Sequence, residues 1–213
     1  MPGRRDRGAV AVGDAFELGR RIHVVGGAGA GKSTLAQRLA TLLDVPFVEL
    51  DALNWEAGWY GLHRNDPEEL ERRIREATSG DGWVVAGSYI RFAEAAFWDR
   101  VQTVIWLDMP MQLLLRRVVN RSWRRWRTRE LLWGKNYESF WTQLAIWRPS
   151  RSLIGWVLTQ THWKRREMVA TIADHRWARI RFLRLRSPAE VREFERMVTD
   201  AVACSATHGS GGG

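Results

Sequence analysis

Short apolar runs alternate along the chain with longer segments in which apolar residues recur every three or four positions. Short runs bounded by turn residues predict buried strands, and the three-to-four spacing predicts helices that are apolar on one face. Five runs have this strand character, near residues 22–25, 46–50, 83–86, 103–107 and 180–185. Strands that alternate with helices form parallel sheets covered on both faces. The pattern therefore predicts a three-layer α/β fold with a five-stranded parallel sheet.

Capping residues mark the ends of several intervening helices. Asp66 before Pro67, and Ser187 before Pro188, each combine an N-cap side chain with a proline in the first turn. Pro46 ends the first helix, because the residue before a proline is driven out of the helical conformation. Helices are predicted at 32–43, from 67 to about 78, near 92–98, from 111 onward, at about 136–147 and 150–173, and from 188 to about 203.

The first strand leads directly into a glycine-rich loop. The loop matches the phosphate-binding pattern G-x-x-x-x-G-K-[ST], with a strand before it and a helix after it. Glycines let the backbone approach phosphate oxygens, and the N-terminus of the following helix favours anions. A dinucleotide-binding fingerprint is excluded, because Lys32 stands where its third glycine is needed. The predicted nucleotide-binding residues of the loop are Gly26, Gly27, Ala28, Gly29, Ala30, Gly31, Lys32, Ser33 and Thr34.

Lys32 and Ser33 carry the chemistry of this loop. A lysine at this position supplies a compact positive charge to the β- and γ-phosphates, and the following hydroxyl is placed to ligate Mg²⁺. The loop therefore predicts ATP as a substrate and Mg²⁺ as a cofactor. Lys32 is predicted to be catalytic, and Ser33 is predicted to be a metal ligand.

Two aspartates follow other strands at the same predicted edge of the sheet. In sheets of this kind, ligands bind beyond the carboxyl ends of the strands. Asp51 follows the second strand, where it could orient the hydroxyl of an acceptor or bind a metal, or serve as a turn residue. Asp108 follows the fourth strand and is a candidate metal ligand, although Asp-x-Pro is also a common way to begin a helix.

The positive charge of the chain is concentrated in one region. The net charge is +9, and residues 111–186 contain 18 Lys and Arg against 4 Asp and Glu. Such a region suits nucleotide phosphates or a nucleic acid backbone. Trp123 and Trp126 lie among its arginines, a composition suited to stacking on bases, but we favour the interpretation that both tryptophans belong to the core. ATP and a small-molecule acceptor are the expected partners, and nucleic acid bound through 111–186 is a less favoured one.

The chain divides into one main domain with two short terminal segments. Residues 1–20 are expected to form a flexible arm, 21–204 a single domain with a basic helical insertion at about 111–177, and 205–213 a disordered tail. Cys204 is the single cysteine, which favours a reducing cytoplasm. The apolar segments are too short to cross a membrane, so a membrane is not an expected partner.

Several motifs together resemble those of a known group. These are 26–34, 49–51 with Trp55 and 58–59, 83–89, 104–108 and 186–191. The chain resembles the small P-loop kinases of the adenylate kinase-like superfamily, which include shikimate and nucleoside monophosphate kinases. Within that superfamily it is most similar to bacterial adenylate kinase-like ATPases, often labelled DNA topology modulation proteins. The resemblance covers about residues 21–200.

The resemblance implies roles for residues outside the glycine-rich loop. Arg117 and Arg121 match the paired arginines that grip the transferring phosphate, and both are expected to be catalytic together with Asp51. The segment Arg186, Ser187 and Pro188 is expected to flank the adenine. The residues expected to bind the acceptor are Asp51, Trp55, Tyr89 and Arg91.

One departure from the group affects the metal site. Relatives commonly have an aspartate at the end of the third strand, which organises the Mg²⁺ shell through water, whereas this chain has Ala86. Either Asp51 or Asp108 compensates, or turnover is slow, or the protein binds nucleotide without transferring phosphate. The preferred function is an ATP-dependent phosphotransferase acting on a small molecule or nucleotide. The alternative is an ATP-binding, weakly hydrolysing, nucleic-acid-binding regulatory protein.

Overall fold

The computed structural model of the protein describes residues 18–129, 131–137 and 153–209. Its strands are Arg21–Gly26 (β1), Phe47–Glu49 (β2), Trp55–Glu56 (β3), Tyr60–Gly61 (β4), Trp83–Ala86 (β5), Thr103–Leu107 (β6), Leu131–Leu132 (β7), Asn136–Tyr137 (β8) and Arg181–Leu185 (β9). Five of them form a parallel sheet in the order β2-β5-β1-β6-β9. The predicted five-stranded parallel sheet is confirmed.

Helices connect these strands. They are Lys32–Leu43 (α1), Leu50–Asn54 (α2), Leu62–Asn65 (α3), Pro67–Ala77 (α4), Ile90–Ala96 (α5), Met111–Thr128 (α6), Leu153–Ala173 (α7) and Pro188–Gly209 (α8). Asp66 caps α4 as predicted, because its side chain accepts a hydrogen bond from the backbone N–H of Glu69. None of the helices described here combines the length and the apolar composition needed to cross a bilayer.

The core lies on both faces of the sheet, because successive strand residues point to opposite sides. Val24 and Ile105 pack on one face with apolar residues of α1, α6 and α8. Val25 and Trp106 pack on the other face with apolar residues of α4, α5 and α7. The sheet is therefore the middle layer of three, and its strand ends are held in place from both sides.

The structure corrects several predicted boundaries. Leu18 is 5% exposed and its carbonyl accepts a hydrogen bond from Thr103, so residues 18–20 belong to the domain and not to a flexible arm. Helix α8 continues to Gly209, past the predicted start of the tail at 205. Residues 136–137 form a strand instead of beginning a helix. Residues 1–17, 138–152 and 210–213 lie outside the described part, and so does most of the predicted helix at 136–147.

The segment 54–61, which is rich in aromatic residues, forms a hairpin. Its strands β3 and β4 pair antiparallel, and it docks on the second hairpin, β7–β8. Asn136 is 4% exposed and makes this contact: its Oδ1 accepts from the backbone N–H of Trp59, and its Nδ2 donates to the carbonyl of Glu56. A single buried amide thus satisfies backbone groups of the neighbouring hairpin.

His23 lies fully buried in the central strand β1. Its Nδ1 accepts the indole N–H of Trp98 at 3.0 Å, and its Nε2 lies 2.9 Å from the carbonyl oxygen of Gly87. Because the indole N–H can only donate, the neutral ring carries its hydrogen on Nε2. Burial, the largest cause, lowers the pKa of His23 to about 4. His23 is therefore a neutral structural residue that joins the core to the end of β5.

Candidate functional site

The carboxyl ends of β2, β5, β1 and β6 lie side by side, and the glycine-rich loop follows the central one. Gly26, Gly29 and Gly31 adopt φ values of 151°, 77° and 99°. At Gly29 a Cβ atom would come within 3.0 Å of the Leu114 carbonyl oxygen, so the close approach of α6 to the loop also requires glycine here. Gly31 provides no side-chain cap for α1, which leaves the first N–H groups of the helix to a ligand.

Lys32 is the cation at the centre of this loop. Its Nζ donates to the Gly27 carbonyl at 3.0 Å, so the side chain folds back over the loop. Burial lowers the pKa of Lys32 to about 8, and the positive charges of Arg121 and Lys164 act in the same direction. The carboxylates of Asp51 and Glu49 oppose this shift. At neutral pH Lys32 is mostly protonated in a site that favours an added anion.

Ser33 and Glu49 form a pair of oxygen ligands beside Lys32. The Ser33 hydroxyl donates to Glu49 Oε1 at 2.6 Å. Mg²⁺ binds oxygen ligands and is usually held by one or two carboxylates together with substrate phosphates. The pair therefore fits Mg²⁺, although the described residues contain no cluster of three or more His, Cys, Asp or Glu around a metal position. Glu49 is the last residue of β2, and no role was predicted for it from the sequence.

Asp108 has different surroundings from those expected of a metal ligand. It is 8% exposed, its Oδ1 accepts from Arg165 at 2.7 Å, and its Oδ2 accepts from Arg184 at 2.9 Å. The guanidinium of Arg184 also lies 4.4 Å from the ring centroid of Trp106. Both carboxylate oxygens are thus engaged in joining α7 to the sheet. The metal role of Asp108 stays a prediction, and these contacts argue against it.

Asp51 lies in the first turn of the short helix α2, just beyond β2. Its Oδ1 accepts the hydroxyl hydrogen of Tyr89 at 2.8 Å. Burial raises the pKa of Tyr89, and the charge of Asp51 raises it further, so Tyr89 stays a hydrogen-bond donor. Trp55 and Tyr89 each lie edge-on to His63, with ring centroids 5.6 and 5.8 Å away. Three of the four predicted acceptor residues therefore lie together.

Arg91, the fourth of these residues, has a different position. It is exposed in the first turn of α5, and among the described residues it has no hydrogen bond or ion pair. Its predicted role in binding the acceptor stays a prediction. The charge of Lys164 instead reaches the acceptor side, since this α7 residue is largely buried and interacts electrostatically with both Asp51 and Lys32. The sequence offered no signal for Lys164 beyond a weak basic cluster.

An open cavity of about 610 Å³ lies on the other side of the loop, between α1, α6 and α8. Its volume is within the usual range of small-molecule sites. Arg117 crosses its floor, where Nη1 donates to the Ala30 carbonyl at 3.2 Å. The other polar residues that line it are Thr34, Arg38, Arg116, Asn120, Arg121, Arg124, Arg192 and Glu195. The two arginines predicted to be catalytic thus flank the glycine-rich loop.

The predicted adenine-flanking segment meets this cavity only in part. Pro188 lines it, together with Val191 and Arg192 from the next turn of α8. Arg186 and Ser187 instead bond to the side chain of Glu190, which is the capping-box arrangement that begins a helix. Their role in binding nucleotide stays a prediction.

Ala86, where the sequence resemblance leads us to expect an aspartate, is 1% exposed and belongs to the apolar core. The polar side chain at this strand end is Ser88. Its hydroxyl donates to the Gly26 carbonyl at 2.7 Å and accepts from the Gly26 N–H at 3.1 Å. Ser88 therefore fixes the start of the glycine-rich loop, and the carboxylate beside Ser33 comes from β2 instead.

The interpretation of Trp123 and Trp126 as core residues is wrong. They are 45% and 38% exposed, and their ring centroids are 5.2 Å apart on α6. The side of α6 that packs on the sheet uses Leu114, Val118 and Ser122. The spacing of three predicted a shared face correctly, but that face is turned to the surface.

No protein-family model matches the chain. Among solved structures, shikimate kinase from Acinetobacter baumannii in complex with shikimate is 19% identical over 89% of this chain and 96% of that chain, with a TM-score of 0.49. A gluconokinase from Sinorhizobium meliloti 1021 is 16% identical over 90% and 95%, with a TM-score of 0.47. A sugar kinase from Janibacter sp. HTCC2649 is 16% identical over 85% and 91%, with a TM-score of 0.46. All three are kinases, but similarity of this degree assigns no activity to the chain.

Proposed function

We propose that the protein is an ATP-dependent phosphotransferase that acts on a small hydroxylated acceptor. The observation that carries this proposal is the position of Lys32. Its charge interacts with those of Asp51 and Arg121, and Arg121 lines the basic cavity next to the glycine-rich loop. A phosphate held at Lys32 would therefore lie between a basic cavity and a separate carboxylate. That arrangement suits transfer from a nucleotide to a second molecule. Simple hydrolysis would not need it.

The donor side is formed by the glycine-rich loop and the arginines of α6. The loop N–H groups and Lys32 would bind the β- and γ-phosphates, while Arg117 and Arg121 would balance charge on the transferring group. Phosphoryl transfer depends on alignment and charge neutralisation more than on covalent participation of the protein. The adenine would occupy the cavity beside Pro188 and Arg192.

Ser33 and Glu49 are the residues that would hold Mg²⁺. When bound, the ion neutralises charge on the β- and γ-phosphates. The hydrogen bond between Ser33 and Glu49 holds the two oxygens 2.6 Å apart. This assignment replaces the missing carboxylate at position 86 with one from β2.

Asp51 is the residue that would orient the acceptor hydroxyl. Its Oδ1 is occupied by Tyr89, and its Oδ2 has no hydrogen bond to any residue of the described segments. Oδ2 can therefore accept a hydrogen bond from the acceptor and receive its proton as the phosphoester forms. The loose transition state of phosphoryl transfer draws little on a base, so this contribution is expected to be modest.

The fate of the γ-phosphate tests this proposal. γ-Labelled ATP is incubated with nucleoside monophosphates, sugars and hydroxy acids, and labelled phosphoester is separated from inorganic phosphate. We expect label in one class of acceptor, and about a tenfold lower kcat in Asp51→Asn, which keeps the shape but loses the charge. Release of inorganic phosphate alone, across the whole panel, would contradict a kinase.

The exposed tryptophans of α6 favour a second candidate, an ATP-binding protein that associates with nucleic acid. Trp123 and Trp126 lie beside Arg124 and Arg125 on a helix rich in arginine. Aromatic rings among cations suit unpaired bases. Retention of single-stranded DNA that falls steeply with salt would support this function, and absence of retention near physiological salt would remove it.

A further inference from the structure

His63 and Asn54 form a hydrogen-bonded pair beside Asp51. Asn54 is fully buried, and its Oδ1 receives two contacts from His63, one from the backbone N–H at 2.8 Å and one from ring Nδ1 at 2.9 Å. The backbone N–H can only donate, so the side-chain atom that it meets must be the amide oxygen. The orientation of the Asn54 amide is thereby determined.

This orientation also determines the tautomer of His63. An amide oxygen has no hydrogen to donate, so ring Nδ1 must carry the hydrogen that it shares with Asn54. In the neutral ring, Nε2 is then left with a lone pair and can only accept. Burial and the neighbouring Arg64 lower the pKa of His63, while Asp51 raises it. Nε2 has no hydrogen bond to any residue within the described ranges.

The surroundings of His63 indicate what this lone pair could meet. The ring is held edge-on between Trp55 and Tyr89, with the Asp51 carboxylate bonded to the Tyr89 hydroxyl. Asp51 and His63 therefore both contact Tyr89, and each keeps one hydrogen-bond acceptor, Oδ2 and Nε2, without a partner among the described residues. A carboxylate or phosphate group would be repelled by Asp51 and would bring no hydrogen to Nε2. Hydroxyl groups satisfy both atoms.

Asn54 also has one polar atom that the hydrogen bonds to His63 leave unused. Its amide nitrogen Nδ2 is buried and has no hydrogen-bond partner in the described part of the chain. Buried amide groups are nearly always paired, so this one needs an oxygen that the described residues do not supply.

We propose that His63, oriented by Asn54, binds the phosphate acceptor through Nε2, and that the acceptor carries two neighbouring hydroxyl groups. Asp51 takes the hydroxyl that receives the phosphate, and His63 takes the adjacent one. The rings of Trp55 and Tyr89 bound the site on its apolar side. The inference rests on the proposed phosphotransferase function and adds the class of acceptor, a vicinal diol.

The test compares matched acceptors that differ by one hydroxyl. Label transfer from γ-labelled ATP is measured for adenosine and 2′-deoxyadenosine, D-ribose and 2-deoxy-D-ribose, and D-glucose and 2-deoxy-D-glucose. In the wild type we expect at least one diol to exceed its deoxy partner about tenfold in kcat/KM, the effect of one hydrogen bond. His63→Phe keeps the ring but should reduce this ratio to about threefold or less, and His63→Gln, whose amide oxygen can replace Nε2, should restore part of it.

The outcomes separate this inference from the function on which it rests. Transfer with an unchanged ratio in His63→Phe would overturn the role of His63 alone. Transfer to no acceptor, while ATP is bound, would remove both. ¹⁵N spectra give a readout that needs no activity: neutral His63 should carry its hydrogen on Nδ1, and Asn54→Ala should shift the tautomer toward Nε2–H. A wild-type ring protonated on Nε2 would also overturn the proposal.

Discussion

Replacing Lys32 with alanine is expected to lower nucleotide turnover about a thousandfold, since one preorganised charge at a reacting group commonly accounts for a factor of this size. Lys32 is held over the loop by its hydrogen bond to the Gly27 carbonyl, and its charge interacts with those of Asp51 and Arg121. In its absence, Arg117 and Arg121 still provide positive charge, but from α6 and not from the loop that carries the phosphates. The measurement is steady-state ADP formation at saturating ATP.

The control for this variant is Lys135→Ala. Lys135 is a half-exposed lysine on the second hairpin, and it is paired with the carboxylate of Glu56. Its turnover should stay within about twofold of the wild type, because exposed ion pairs contribute little. Thermal unfolding of Lys32→Ala should show a midpoint no lower than that of the wild type, because the buried charge is unfavourable in the absence of ligand. A Lys32→Ala protein that retains turnover would contradict the assigned role.

Lowering the pH from 7.5 to 5 is expected to reduce the free energy of unfolding by about 2 kcal/mol through His23 alone. The pKa of His23 is about 4 in the folded protein, against 6.5 for an ordinary histidine. Between these values the unfolded chain binds a proton that the folded chain excludes. Stability is therefore unaffected by this group above pH 6.5, falls as the pH decreases below it, and levels off below about pH 4 at a total loss of about 3 kcal/mol.

The contribution of His23 is isolated with His23→Gln. Glutamine can still donate to the Gly87 carbonyl, but it does not reproduce the ring that accepts the Trp98 indole N–H, so the variant should be less stable at pH 7.5. Because glutamine does not titrate, the variant should lose less free energy of unfolding on acidification. The measurement is urea unfolding of both proteins at pH 7.5 and 5. Equal losses in the two proteins would show that His23 is not held neutral in the core.

The fold could be predicted well from the sequence because its signals are local. The alternation of short apolar runs with helical periodicity defined all five sheet strands, and β5 and β6 match their predicted bounds. The boundary at Leu50 was less predictable, since a five-residue helix directly after a strand leaves no periodic pattern. Leu18 looks like part of an arm in sequence, but it is buried in the core and its carbonyl accepts a hydrogen bond from Thr103 of β6.

The donor side of the site was accessible from the sequence for the same reason. The glycine-rich loop is one continuous segment, and the residues predicted to bind phosphate and metal, Lys32 and Ser33, are adjacent in the sequence. The rest of the site depends on contacts between residues that are distant in sequence. Glu49 of β2 contacts Ser33 of α1, Lys164 belongs to α7, and the tautomer of His63 follows from the Asn54 amide. No spacing rule connects such residues.

The role of Asp108 could not be decided from its position at the end of a strand. An aspartate after an apolar strand suits both a metal ligand and a structural ion pair, and its sequence neighbourhood does not distinguish them. The arginines that engage it come from α7 and β9, which lie 57 and 76 residues further along the chain. The metal-ligand role is more consistent with Glu49, whose carboxylate lies against the loop hydroxyl.

The most direct test of the account is a crystal structure of the protein with a non-hydrolysable ATP analogue. We predict that the β- and γ-phosphates lie in the glycine-rich loop against Lys32, that the base enters the cavity beside Arg117 and Pro188, and that the γ-phosphate faces Asp51. A base placed against Trp55 and Tyr89, or a γ-phosphate turned away from Asp51, would contradict a transfer between these two sides.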